Sequence, residues 1–253
     1  MSGKTIGLIC AIPQERAGLR DALVHDDATT IGGLAFDRGQ LDGHQIVLAE
    51  AGIGKVNVAM VSTLLVSRFA VDHLVFSGVA GGLDPDLGIG DLVIADRAIQ
   101  HDCGVIEDAT LEPYQAGHVP FFNPTDKLGY EVDRALLERI GSALQDIALP
   151  PLSAEAGGRG QGTTIACGTI LAGDQYIHCE VTRERLHREF DAMAVAMEGG
   201  AMAQVAERLE RPWLEIRAIS DLAGATSSFD FATFVDEVAL RSATVFRQIL
   251  PVL

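Results

Sequence analysis

The sequence predicts an α/β protein with a mixed central β-sheet flanked by helices on both faces. Three observations carry that expectation. Short apolar runs of strand length recur along the chain, segments of helical periodicity separate them, and 27 glycines punctuate the junctions. At 253 residues and 48% hydrophobic composition, the chain is long enough to bury a large core, and residues 1–253 read as a single domain.

Taken in order, Thr5 to Ala11 is the first apolar strand, and the helical spacing after it begins with Pro13, where a first turn tolerates proline. Glu15 therefore falls in the first turn of a helix, where favourable interaction with the helix dipole alone would explain it. Leu34 to Leu41 and His44 to Glu50 flank Asp42-Gly43, which predicts a β-hairpin with a type I′ turn. Ala51-Gly52-Ile53-Gly54-Lys55 then leads into a helix from Val56 to Phe69. Its glycines let backbone N–H groups approach a ligand, but their spacing matches neither the P-loop nor the dinucleotide fingerprint.

His73 to Ser77 is a buried strand that runs into Gly78-Val79-Ala80-Gly81-Gly82-Leu83, and Asp91 to Ile99 is the next strand. Gln100 to Pro124 is long and mixed, with Tyr114, Phe121 and Phe122, as expected of a functional or mobile loop. Lys127 to Ile147 has helical periodicity. Residues 153–162 are small, polar and Gly-rich, which suggests a flexible insertion within the domain. A strand at Thr163 to Ala172 closes on Gly173-Asp174-Gln175-Tyr176-Ile177, and Arg183 to Phe190 is a short helix. Ala194 to Met197 is a strand that delivers Glu198 at the start of a small-residue helix. Trp213 to Asp221 is a last apolar strand carrying Arg217, Ser220 and Asp221 toward its C-terminal end, and Phe231 to Leu250 is the final helix.

A net charge of −16 argues against nucleic acid or an anionic membrane surface as partner, since both call for basic patches. Cys10, Cys103, Cys167 and Cys179 have no CxxC spacing and mostly lie in apolar runs. They read as reduced core residues of a cytosolic protein, without a disulfide framework or zinc site. The first ten residues lack a signal-peptide core, and no apolar run is long enough to span a bilayer, so the expected location is the cytoplasm.

Glu15, Glu198 and Asp221 all stand near strand ends, where open α/β sheets bind ligands. Separated carboxylates suit cleavage of a glycosidic bond, one protonating the leaving group while another prepares water. Structural carboxylates that cap helices fit the same spacing, and spacing alone leaves the choice open.

The motifs go further. Gly52-Ile-Gly-Lys-Val56, Gly78-Val-Ala-Gly-Gly-Leu83, Gly173-Asp174, Val195-Ala-Met197-Glu198 and Arg217-Ala-Ile-Ser-Asp221 together resemble, in order, the motif set of the 5′-methylthioadenosine/S-adenosylhomocysteine nucleosidases. These belong to the purine nucleoside phosphorylase and uridine phosphorylase superfamily, and the resemblance runs from Ile6 to the C-terminal helix. It implies a partly barrel-like, nucleoside phosphorylase-like fold and hydrolysis of 5′-substituted adenine nucleosides. Asp221, with Ser220 beside it, matches the family acid that protonates purine N7. Glu198 matches the carboxylate that holds the ribose hydroxyls, with Met197 against the sugar, and Glu15 matches the glutamate that activates water. Arg217 matches an arginine with an electrostatic or organising role. Tyr176 falls where the family usually stacks a phenylalanine on the purine, backbone groups at Tyr176 and Ile177 would read the base edge, and Ile12, Ile53, Val105 and Phe231 would line the pocket. His101 and Asp102 resemble a family pair, for which anchoring a loop is the expected role.

The resemblance also implies a homodimer, and it implies neither a metal nor a redox cofactor. Val79 replaces a serine or threonine common in the glycine-rich motif, Ala196 replaces an acidic residue of many relatives, and Asp108 to Phe122 does not match the loop that faces the 5′ substituent. Futalosine or aminofutalosine hydrolysis, phosphate-dependent nucleoside cleavage and an inactive nucleoside-binding module are therefore the competing expectations.

Overall fold

The computed structural model describes residues 4–149, 151–153, 156 and 162–253. The expected insertion at 153–162 lies largely outside the described residues. The chain runs through β1 (Thr5–Cys10), α1 (Pro13–Ala22), β2 (Val24–Ile31), β3 (Leu34–Leu41), β4 (His44–Glu50), α2 (Lys55–Phe69), β5 (His73–Gly82) and β6 (Leu92–Gln100). A small hairpin, β7 (Gly104–Glu107) and β8 (Thr110–Pro113), and the two-residue β9 (Tyr130–Glu131) precede α3 (Arg134–Leu144). Then follow β10 (Ile165–Ala172), α4 (Glu180–Phe190), β11 (Ala192–Ala196), α5 (Gly199–Arg208), β12 (Trp213–Asp221) and α6 (Ser227–Ile249), which ends in a 3-10 turn, Leu250–Val252. Among the described residues, no helix is long and apolar enough to cross a membrane.

The sheet is mixed and partly closed. β5 pairs in parallel with β12, β12 antiparallel with β6, β6 in parallel with β10, and β10 in parallel with β11. β11 then returns antiparallel to β5 through Ala194 opposite Gly82 and Val195 opposite Gly81, so five strands form a ring. From β5 the sheet also continues as an open wing through β1, β4, β3 and β2. The strands at the centre are apolar throughout because they are covered on both faces: every residue of β12 is buried, and β5 is buried along nearly its whole length. α6 packs on β12 and β5, α1 packs against α6, and α2 packs against α5.

Local chemistry explains the joints. Asp42 and Gly43 have φ of 49° and 85°, the two positive values that a type I′ turn requires. α2 stops where Ala70 adopts a left-handed conformation, and the Asp133 carboxylate caps α3 by accepting from the Leu136 N–H at 2.8 Å.

Several expectations are corrected. The helix anticipated over Lys127 to Ile147 is only Arg134–Leu144, because Tyr130 and Glu131 pair as a strand with β6 and Asp133 sets a later start. The long loop after Gln100 contains the β7–β8 hairpin, and β2 was not anticipated at all. Of the four cysteines only Cys10 is a core residue. Cys103 is half-buried and Cys167 and Cys179 are exposed, since Cys167 lies on the less covered half of β10 and Cys179 sits at the head of α4.

Candidate active site

The C-terminal ends of β1, β5, β11 and β12 converge on one cleft of about 730 Å³, counting its open mouth. Its lining brings together Glu15, Glu198 and Asp221 with Ile12, Ile53, Val79, Tyr176, Ile177, Met197, Arg217, Ser220 and Phe231. Val105 is not among the lining residues. It lies on β7, where it pairs with Glu112 of β8 in a largely exposed hairpin.

Glu15 reaches the cleft because Pro13 starts α1 immediately after β1, placing the carboxylate at the third helical position and under the strand ends. One of its oxygens accepts from the Ala11 and Ile12 N–H groups at 2.6 and 3.2 Å, and the other accepts from the Val79 N–H at 2.9 Å. Gly78 makes the last contact possible. A Cβ there would lie 2.5 Å from the Glu15 carboxylate and 2.9 Å from Arg217 Nη1, so any side chain would push apart the two groups that meet over it. Burial raises the Glu15 pKa to about 7, against the pull of Arg217 and of the Val79 and Ala11 N–H donors. A carboxylate poised there can accept a proton at neutral pH.

Glu198 lies two residues beyond β11, at the N-cap position of α5. Its Oε1 accepts from the Gly54 N–H at 3.1 Å, and its Oε2 accepts from Arg217 Nη2 at 2.9 Å. The glycine-containing turn before α2 thus presents a backbone N–H to the Glu198 carboxylate. Arg217 is fully buried and held on every side: Nη1 donates to the Val79 carbonyl at 3.0 Å, Nε donates to Glu215 at 2.7 Å, and the guanidinium lies 3.9 Å over the Phe76 ring. Burial works against its charge, but Glu215, Glu198 and Glu15 together raise its pKa.

Asp221 closes β12 at the far side of the cleft. Its Oδ1 accepts from the Ala223 N–H at 2.9 Å and its Oδ2 from the Ser220 hydroxyl at 3.1 Å. Ala223 holds a positive φ of 52°, unusual for a residue with a side chain, which turns its N–H back onto the carboxylate. Burial raises the Asp221 pKa above the ordinary carboxylate value, and these two donors oppose the shift without cancelling it. The cleft therefore holds two buried carboxylates, Glu15 and Asp221, whose pKa values burial raises above the ordinary carboxylate range.

A model of the phosphorylase superfamily matches residues 5–251. The 5′-methylthioadenosine/S-adenosylhomocysteine nucleosidase of Mycobacterium tuberculosis is 56% identical over 249 residues, which is 98% of each chain. The chain belongs to the 5′-methylthioadenosine/S-adenosylhomocysteine nucleosidase family. The solved nucleosidase of this family from Neisseria meningitidis, in complex with methylthio-immucillin-A, superposes with a TM-score of 0.82 at 30% identity, covering 99% of this chain and 100% of that one. Futalosine hydrolase from Helicobacter pylori superposes with a TM-score of 0.83 at 27% identity, covering 99% of this chain and 98% of that one. The backbone alone thus resembles both neighbours to the same degree.

Against the nucleosidase motifs, the structure puts Val79 and Ala196 on the cleft wall, where they make it more apolar than a hydroxyl and a carboxylate would. Asp102 binds Lys55 Nζ at 2.6 Å and accepts from the Asp174 N–H at 2.9 Å, tying the start of α2 to the turn after β10. The residue that sequence reasoning missed is Glu215. A glutamate inside an apolar strand, two positions before an arginine and so on the same face, was the available signal.

Proposed function

We propose that the cleft hydrolyses the N-glycosidic bond of 5′-substituted adenine nucleosides, 5′-methylthioadenosine and S-adenosylhomocysteine, and releases adenine. The observation that carries this reading is the pair of buried carboxylates that face one cleft, Glu15 under the strand ends and Asp221 at the end of β12. Asp221 protonates purine N7, and the C1′–N9 bond breaks with its electron pair leaving on the base. Water adds to the oxocarbenium-like C1′ and gives its proton to Glu15. Glu198 holds the ribose hydroxyls, Tyr176 stacks on the purine, and backbone groups of Tyr176 and Ile177 read its edge. Adenine and the 5-substituted ribose are the products.

The cations argue for water over phosphate as nucleophile. Among the described residues that line the cleft, Arg217 is the cation, and each of its three nitrogens already donates, to Glu215, the Val79 carbonyl and Glu198. Arg16, beside Glu15 in sequence, turns away to pair with Asp37 and approaches Glu50 at 3.9 Å. A phosphate would meet two glutamates and no unpaired guanidinium.

The same chemistry on futalosine or aminofutalosine is the second reading, favoured by the likeness to the Helicobacter pylori futalosine hydrolase. Exposed apolar side chains border the mouth and the adjoining face of α2, among them Ile53, Val56 and Met60, and they support a homodimer as the working form, with the cytoplasm its proposed location. The test is base release from 5′-methylthioadenosine, S-adenosylhomocysteine, 5′-deoxyadenosine, aminofutalosine, adenosine and inosine, with and without phosphate. Adenine and a free reducing sugar from the first two are expected. A sugar 1-phosphate would overturn hydrolysis, preference for inosine would overturn the adenine assignment, and adenine binding without release of base from any substrate would favour an inactive module.

A further inference from the structure

Glu215 lies behind the cleft wall and touches nothing in the cavity, yet it is fully buried. Its Oε1 takes the Nε–H of Arg217 at 2.7 Å, and its Oε2 has no hydrogen-bond partner. The carboxylate is wedged against Gly199, the first residue of α5, where a Cβ would come within 1.8 Å of it. A buried carboxylate with one idle oxygen is costly to maintain, and strand pairing does not require it. The guanidinium it grips is the one that also holds Glu198 and lies beside Glu15.

We propose that Glu215 is a positioning residue of the active site, which acts through Arg217 by fixing the guanidinium against Glu198 and offsetting part of its charge, so that Glu15 remains basic enough to accept a proton from water. The inference rests on the proposed hydrolysis for its catalytic meaning, but the electrostatic link it describes is a property of the folded chain. The titratable and charged groups facing Glu15 are Arg217 on β12, Glu198 at the head of α5 and Cys10 on β1. Arg217 is the one that lowers the Glu15 pKa, and Glu215 is its closest counter-ion. Burial pushes the Glu215 pKa up and Arg217 pulls against it, and the two side chains form an ion pair at 2.7 Å. Removing that anion leaves Arg217 with more uncompensated charge, and the Glu15 pKa must fall.

The experiment follows the Glu15 carboxyl carbon by 13C NMR titration, assigned by its loss in Glu15→Gln, in the wild-type protein and in Glu215→Gln. The expected result is a midpoint lower by about one pH unit in Glu215→Gln. The acid limb of the kcat/KM profile should move the same way, and kcat should fall several-fold because a weaker base prepares the water. Should Glu215→Gln fail to fold, Glu215→Asp takes its place. It keeps the charge but draws it back from Nε, and a smaller downward shift is expected. An unchanged Glu15 midpoint in the folded variant overturns the proposal. A wild-type protein that releases no base would sink the hydrolase reading alone, because the NMR midpoint still reads the link between Glu215 and Glu15.

Discussion

The inner half of the cleft and its rim are built on opposite principles. Inside, Glu15, Glu198, Arg217 and Asp221 are buried, and each is fixed by backbone N–H groups, a backbone carbonyl or one another. At the rim, Tyr176 is 49% exposed and Ile53 52%. The inner half is preorganised by the closed ring of strands, and its charged groups all come from one chain. The rim presents apolar surface that a single chain does not cover, and there the 5′ substituent and any second copy would make their contacts. A common reaction with variable substrates is what such a division allows.

Breaking the inner half should have the largest effect. Asp221→Asn keeps an acceptor for the Ala223 N–H and removes only the titratable proton, so kcat should drop by roughly 10³-fold while adenine binding and the melting temperature stay near those of the wild type. Steady-state assays with an adenine titration check this, and near-normal turnover would remove Asp221 from the acid role.

The same half should reveal itself in stability. Folding raises the Glu15 pKa from 4.5 to about 7, so the folded state holds that proton more tightly than the unfolded chain. Its contribution is complete below the unfolded value and is lost as pH rises through the folded one. From pH 5 to pH 8 the wild type should lose roughly 2–3 kcal/mol relative to Glu15→Gln. Comparing both proteins by denaturant unfolding at the two pH values cancels the fixed cost of placing an amide among three N–H donors, and a constant difference would contradict the raised pKa.

Altering the rim should do least to the chemistry. Tyr176→Ala removes a half-exposed ring expected to stack on the base, and KM should rise about tenfold with kcat within a few-fold of wild type. If kcat collapsed and KM held, Tyr176 would belong with the inner half, and the contrast between the two regions would fail.

Much of the inner half was legible in the sequence because its residues sit where strand runs end, and a strand end is visible as a change of period. Glu15, Glu198, Arg217, Ser220 and Asp221 were placed this way before their ordered motifs suggested a family, and they do line one cleft. The Asp42-Gly43 hairpin was equally plain because its dihedral angles admit few residue pairs. What was hidden lacked a local signature. β2, VHDDATTI, is exposed along nearly all of its length and is held by backbone pairing to β3, so no alternation of burial marks it. Val105 could not be placed because the β7–β8 hairpin is also largely exposed. Glu215 was passed over because its partner is its own strand neighbour and its reason lies in Gly199, which only the folded chain brings against it.

The return of β11 to β5 has a consequence for how the molecule comes together. It joins Gly81 and Gly82 to Ala194 and Val195, segments far apart in the chain, and the groups of the cleft come from both ends of the sequence, Glu15 near one and Asp221 near the other. Such pairings have high contact order, and the entropy of closing the intervening chain must be overcome before they give anything back. The wing of β1 to β4 is assembled mainly from near neighbours in sequence and has no such delay. Competence for catalysis is thus a property of the finished ring, and a chain stalled one strand short of closure would carry most of its secondary structure and none of its activity.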